Sequence, residues 1–283
     1  MFHIIFLIVL AIIWIIFAVI QDLKTKEISN WLNFSLIVFA LVFRFFYGLF
    51  FDINFGFFYQ GLIGFAIFFI LGNLFYYGHI FAGGDAKLMI ALGAILPFSK
   101  SFLINVKIFT LFFILFLISG MVYGLIFSLV LMFRNWKSFK KEFFAQFKKM
   151  KKKIFVVFLI GLIFMVFGFF ENLMFFLGFF VFILPYVFIF AKSIDETCMV
   201  KKVKTKFLRE GDWLYKEVSI GNKIIKAKWD GLSKEDIRLL QKKKQVIIRQ
   251  GLAFAPVFLI SFVFLVILFY FGVLDFLDLL FLF

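Results

Sequence analysis

Long apolar runs alternate with short charged connectors along this chain, and run length is the first thing that predicts structure. Apolar stretches lie at roughly 2–20, 31–51, 56–78, 86–99, 104–133, 154–170, 173–191 and 251–274. Most approach the roughly 20 residues that a helix needs to cross a hydrocarbon core of about 30 Å. The pattern therefore predicts a bundle of membrane-spanning helices. Run 86–99 is short for a full span, whereas 104–133 is long enough to tilt or to continue as helix beyond the lipid. The 154–191 block has "ENL" at its centre, which suits a hairpin of two spans. No small-residue cleavage site follows the first run, so it is expected to stay as a helix.

Between 192 and 250 the pattern changes. "WLYKEVSIGNKIIKAKW" partly alternates apolar and polar positions around Gly221-Asn222, a two-residue turn signal, and reads as a β-hairpin. Ser233, with Asp236 three residues on, reads as the N-cap of a short helix. The expected organisation is a membrane bundle over 1–133, a basic cytoplasmic loop plus apolar hairpin over 134–191, a small cytoplasmic α+β module over 192–250, and a last transmembrane helix and tail over 251–283. At under about 60 residues the module is marginal alone and is expected to pack on the bundle.

Composition narrows the chemistry. Of 283 residues 65% are hydrophobic and 53 are Phe. One cysteine, Cys198, excludes an intrachain disulfide and a CxxC metal pair, and two histidines are too few for a His-rich site. No cofactor or metal is expected. The net charge of +15 would suggest nucleic acid in a soluble protein, but its placement gives a simpler reading. Residues 134–153 carry nine Lys/Arg against one Glu, and 192–250 carry sixteen against eight acids. Lys24, Lys26 and Lys87 lie in connectors on the same side if the spans alternate. The opposite connectors hold only Asp52, Lys100 and Glu171, with Asp275 and Asp278 in the tail. The positive-inside rule then puts both termini outside and the basic connectors in the cytoplasm. Arg44 and Lys107 fall near the outer ends of their runs, where long side chains snorkel. The Lys/Phe mixture of 134–153 is expected on anionic lipid headgroups, with no nucleic-acid partner.

In this frame Asp22 and Asp85 share the cytoplasmic face, and two carboxylates at one face are the minimum set for acid–base hydrolysis. One, ionised, takes a proton from water; the other, protonated, hydrogen-bonds the scissile carbonyl and later protonates the leaving nitrogen. Gly83 and Gly84 before Asp85 allow backbone shapes and close approaches that a Cβ forbids. Each aspartate also has a plain reading: an interfacial charge, or an acid favoured by the dipole in a first helical turn. Lys87 either acts on Asp85 or the substrate backbone, or is an interfacial lysine that supports orientation. His79 reads as structural, Asn30 as a helix N-cap, and Trp31 as an aromatic-belt anchor.

Two stretches carry a resemblance. "VIQDLKTKEISNWLN" at 19–33 is similar to the first signature of type IV prepilin peptidases, an Asp followed six residues later by Ile-(Pro/Ser)-Asn; here these are Asp22, Ile28, Ser29 and Asn30. "AGGDAKLMIALGAILP" at 82–97 is similar to the second, the GxGD stretch with its Lys-Leu and Ala-Leu-Gly-Ala continuation. Ala82 replaces its first glycine, so Gly84-Asp85 is the strict part. "REGDWL", "GLSKEDIRLL" and "IIRQGLAFAPVFLI" resemble the archaeal preflagellin peptidase branch. The similarity covers roughly 1–130 and 205–265 and omits much of 134–191.

The resemblance implies a GxGD-type intramembrane aspartyl protease with Asp22 and Asp85 as its catalytic pair. Its partners would be preflagellin or pilin-like precursors with a short basic leader ahead of an apolar helix, cut at the cytoplasmic face. Acidic residues such as Glu210 and Asp212 would receive that leader or simply form a solvated surface. The CxxC motifs of methylating bacterial members are absent, which predicts cleavage without methylation. A six-helix family pattern sets the expected fold: an all-α polytopic membrane helical bundle of six to eight transmembrane helices with a small cytoplasmic α+β module.

The alternative is a non-enzymatic transporter or assembly subunit. That class favours mid-bilayer ionisable groups or matched broken helices, and Pro185 and Pro256 have no mirrored partner. An HExxH zinc helix is absent. Ser119 sits in "LISG" without a histidine base, and "LAFAPVFL" lacks the Pro-Ala-Leu motif of presenilin-type proteases.

Overall fold

A computed structural model describes residues 2–52, 54–220, 223–228 and 231–272. The protein is a polytopic helical membrane bundle with a small strand-containing module. It divides into two compact units: residues 1–123 with 252–283, and residues 124–251.

The first unit contains α1 (Phe2–Thr25), α2 (Asn30–Phe51), α3 (Gly56–Tyr77), α4 (Gly83–Gly93), most of α5 (Phe102–Arg134) and the last helix, Ala255–Tyr270. α1, α2, α3 and α5, together with α7 (Asn172–Cys198) of the second unit, are long and apolar enough to cross a membrane. Only 28% of the most apolar stretch of α1 is buried against protein, so most of its apolar side chains face outward, as lipid requires.

α4 departs from that pattern. Eleven residues give about 16 Å of helix, well short of a bilayer core. Residues 94–98 continue without helix and are fully buried. Their carbonyls cannot be left bare in an apolar interior. Arg44 supplies the donors: Nε to Ala94 O at 2.9 Å, Nη2 to Ile95 O at 3.0 Å and Pro97 O at 2.6 Å, and Nη1 to Phe57 O at 2.9 Å. The guanidinium also lies 4.1 Å from the Phe57 ring centre. Snorkelling was the expectation for Arg44; it is instead fully buried, because the unwound segment offers acceptors that would otherwise go unpaired. α3 and α4 cross closely, and a Cβ on Gly64 would stand 2.4 Å from Gly93 O. At the same end Asp52 caps α3, accepting from the Phe57 N–H at 2.9 Å and from Lys100 Nζ at 2.9 Å.

In the second unit the expected loop over 134–153 is helical. α5 ends at Arg134, Asn135 caps the next helix, and α6 runs Trp136–Phe167. Lysine and phenylalanine are compatible with helix and no Gly or Pro interrupts the run, so nothing in 136–153 stops it. Phe139, Gln146, Ile154 and Gly161 are its buried positions, spaced at seven or eight residues, and they form one stripe. Phe139 packs on Phe190 of α7, and Gly161 meets Gly178 backbone to backbone. The lysines lie on the exposed sides. α6 and α7 form a helical hairpin that turns at Gly168–Glu171, of which α7 has the length and apolarity of a span.

Beyond α7 come β1 (Val200–Lys204), a 3₁₀ turn (Thr205–Phe207), β2 (Trp213–Leu214), β3 (Val218–Ile220), β4 (Lys223–Ile225), α8 (Lys234–Leu240) and β5 (Gln245–Arg249); the Ala255–Tyr270 helix is α9. β5 lies between β1 and β2, antiparallel to both, and β3 pairs β4. The predicted hairpin is present; its Gly221-Asn222 turn lies outside the described residues, as do Asp275 and Asp278. Ser233 and Asp236 form a reciprocal capping box at the start of α8.

Candidate active site

The site is built from three chain ends in the first unit. α1 finishes with Asp22 buried on its inner face, 6% exposed. Lys26, in a left-handed conformation (φ 59°), turns the chain out of the helix, and its N–H bonds Asp22 O at 2.9 Å. Ser29 occupies the cap position of α2, but its N–H and hydroxyl both go to Gln21 Oε1, at 3.0 and 2.7 Å. Asn30, expected as that cap, is the first helical residue. Its side chain is free to accept from Lys87 Nζ at 2.6 Å.

That bond joins the two sequence motifs. A second contact is tighter: a Cβ on Gly84 would stand 3.2 Å from both the Cβ and the backbone nitrogen of Ile28. Gly84 is therefore small because the 26–29 turn lies directly on it, and no left-handed geometry is involved. Asn33 Nδ2 reaches Gly84 O at 3.4 Å. Gly83 is looser, with Tyr76 at 3.7 Å from its would-be Cβ.

Asp85 sits in the first turn of α4, half-buried, in electrostatic reach of Asp22. Among the described residues no hydrogen bond to its carboxyl is found. Asp22 differs: its Oδ2 accepts the Ala255 N–H at 2.9 Å, capping α9 from 233 residues away in sequence. Sequence reasoning missed this partner, and the only local signal was Pro256 in the first turn of the helix that follows. Phe81 closes the site from below, packing on Phe75, Phe116, Phe254 and Phe258. Tyr123 on α5, also unforeseen, lies within electrostatic reach of Asp22. His79 adopts a left-handed turn conformation (φ 59°) before the motif. Glu210 and Asp212 belong to the second unit. Asp212 Oδ2 accepts the Arg209 N–H at 2.8 Å, a local turn bond. Among the described residues no three His, Cys, Asp or Glu side chains gather as metal ligands.

Residues 9–134 match the model of the type IV leader peptidase family, and this stretch holds both motifs and both aspartates. Over 83 residues the chain is 34% identical to a preflagellin peptidase of Methanococcus maripaludis (strain C6); they make up 29% of this chain and 35% of that relative. The match thus spans about a third of the length of the relative. No solved structure matches the chain.

Proposed function

We propose that this protein is a membrane aspartyl endopeptidase that removes the short basic leader of preflagellin or pilin-like precursors at the cytoplasmic membrane face. The observation that carries the reading is the junction of the two motifs. The Ile28 turn lies on Gly84 and Asn30 accepts from Lys87, which holds the elements bearing Asp22 and Asp85 against each other.

Asp85 is the freer carboxyl and serves as the proton-exchanging group nearest the substrate. In hydrolysis one carboxylate takes a proton from water as its oxygen attacks the scissile carbonyl carbon. The protonated partner donates to the carbonyl oxygen. Collapse of the tetrahedral intermediate breaks the C–N bond, and a proton passes to the amine of the apolar product. Two like charges within electrostatic reach of each other favour a singly protonated pair. Residues 134–153, with lysines on the exposed sides of α6, serve as a contact for anionic headgroups. Cleavage proceeds without methylation.

One observation favours a second reading. The Asp22–Ala255 bond gives Asp22 a structural task that a non-enzymatic membrane subunit would also need. Asp22→Asn separates the two, because asparagine caps a helix about as well as aspartate but carries no titratable proton. Membranes containing wild-type chain, Asp22→Asn or Asp85→Asn are given a precursor with a basic leader, and product is followed with time. Loss of about 10²–10⁴-fold in both variants at unchanged protein level is expected. Full cleavage by either would sink the aspartyl mechanism.

A further inference from the structure

Beside the motif junction, α2, α3 and α4 enclose a groove of about 450 Å³. Its walls are mainly aromatic and aliphatic: Phe34, Phe65, Phe69 and Tyr76 are among them, and Gly83 and Lys87 lie at the motif end. The amide of Asn73, also in the lining, donates to Phe69 O at 2.8 Å, and Lys87 is engaged with Asn30. Asn33 is the exception. It lines the groove, is 1% exposed, and its Oδ1 has no hydrogen-bond partner among the described residues. A buried amide acceptor without a donor is rare, and at membrane depth there is little water to supply one.

Resting on the proteolytic reading above, we propose that this groove seats the first turn of a precursor's apolar helix, with a backbone N–H of that turn donating to Asn33 Oδ1. The first four N–H groups of any helix lack intrahelical acceptors, so the start of an apolar helix brings the donor that Asn33 lacks. A lipid acyl chain fills an apolar groove but donates no hydrogen bond. Lys87, the only charged residue of the lining among the described residues, repels a basic leader, so the apolar side of the cleavage point enters and the leader stays out. Gly83 belongs to both groove and motif, so a helix seated here starts within about one turn of Asp85. The groove would then set the cleavage position by where the apolar helix begins and not by leader length.

The test uses the full chain in membranes, with Cys198→Ala to remove the native thiol and Asp85→Asn to prevent turnover. Phe69→Cys places a thiol on a groove wall that is already half exposed, and Leu103→Cys places one on an exposed position of α5 as control. A precursor carrying one cysteine in the first turn of its apolar helix is offered with a short bis-maleimide. Crosslinking at least about fivefold stronger at position 69 than at 103 is expected. Equal yields, or capture of position 69 by a thiol-reactive phospholipid and not by the precursor, overturn the proposal. In the catalytically intact chain Asn33→Leu is expected to raise KM about three- to tenfold with little change in kcat, the worth of one hydrogen bond. The substitution removes the unpaired acceptor together with the long Nδ2 contact to Gly84 O at 3.4 Å, so the rise in KM is expected at a thermal unfolding midpoint within a few degrees of wild type. An unchanged KM overturns the role of Asn33. If unmutated chain fails to cleave any leader-bearing precursor, the proteolytic reading falls and this one with it. If it cleaves but position 69 does not crosslink, only the groove proposal falls.

Discussion

The two ends of the short helix α4 treat polar groups in opposite ways. At its C-terminal end four of the five N–H donors of Arg44 are aimed at carbonyls, those of Ala94, Ile95, Pro97 and Phe57, and Asp52 nearby is tied to Phe57 N–H and Lys100. At its N-terminal end Asp85 has no hydrogen-bond partner among the described residues, and Asn33 Oδ1 is buried without a donor. Both ends lie in one apolar bundle, where an unmet polar group costs roughly 1–3 kcal/mol. The saturated end is what a fold does with polar atoms it needs for stability. The other end leaves the Asn33 acceptor and the Asp85 carboxyl without a partner among the described residues, and this is where both sequence motifs meet.

Substitutions can break this comparison. The largest effect on chemistry is expected from Asp85→Asn, a loss of about 10²–10⁴-fold in precursor cleavage with no loss of thermal stability in detergent, since its carboxyl bonds none of the described residues. A clear drop in melting temperature would make Asp85 a structural group and erase the contrast. The largest effect on stability is expected from Arg44→Met. It strips the donors from four buried carbonyls and should lower stability by more than about 3 kcal/mol, read as a fall in detergent unfolding midpoint. A near-neutral outcome would mean that the 94–98 segment finds other donors. Gly84→Ala sharpens the junction: its Cβ meets Ile28 backbone at 3.2 Å, so the 26–29 turn must shift by a few tenths of an ångström. Cleavage should fall about tenfold while stability changes by less than about 1 kcal/mol, because misplacement by a fraction of an ångström damages positioning more than packing.

The smallest effect belongs to pH at the saturated end. The Phe57 N–H first, and Lys100 second, hold the Asp52 carboxyl below the usual carboxylate range. A depressed folded value means the stabilisation is fully present above the unfolded value of about 4 and fades as pH falls through the folded one. The stability difference between wild type and Asp52→Asn should therefore narrow below about pH 4 and be constant above about pH 5. A difference that widens on acidification would contradict this assignment.

Much of the site is legible in the sequence. Asp22, Asn30, Gly84, Asp85 and Lys87 fall in two short motifs, and the fold brings Asn30 to Lys87 and Ile28 to Gly84. Their local elements are legible too, because capping, turn and apolar-run signals act over a few residues. Asn33 does not stand out: an asparagine one turn into an apolar helix carries no local sign that its acceptor will be buried and unpaired. The same holds for the basic run 134–153. Its charges suggest a loop, yet lysines on the outside of a helix are solvated as well as lysines in a loop, and only the stripe from Phe139 to Gly161 against α7 shows which was chosen.

The sequence by itself determined that this chain lives in a membrane, where α2, α3 and α5 begin and end to within a few residues, and which two short stretches carry carboxylates beside glycines. Those properties follow from run length, hydropathy and short-range hydrogen bonding. Only the tertiary structure decided that Arg44 is buried, that Asp22 caps a helix 233 residues away, and that the fourth apolar run is half helix and half non-helical turn and coil. Each of these is a pairing of one polar group with a backbone atom distant in sequence. Such partners become available only after packing has brought them together and excluded water.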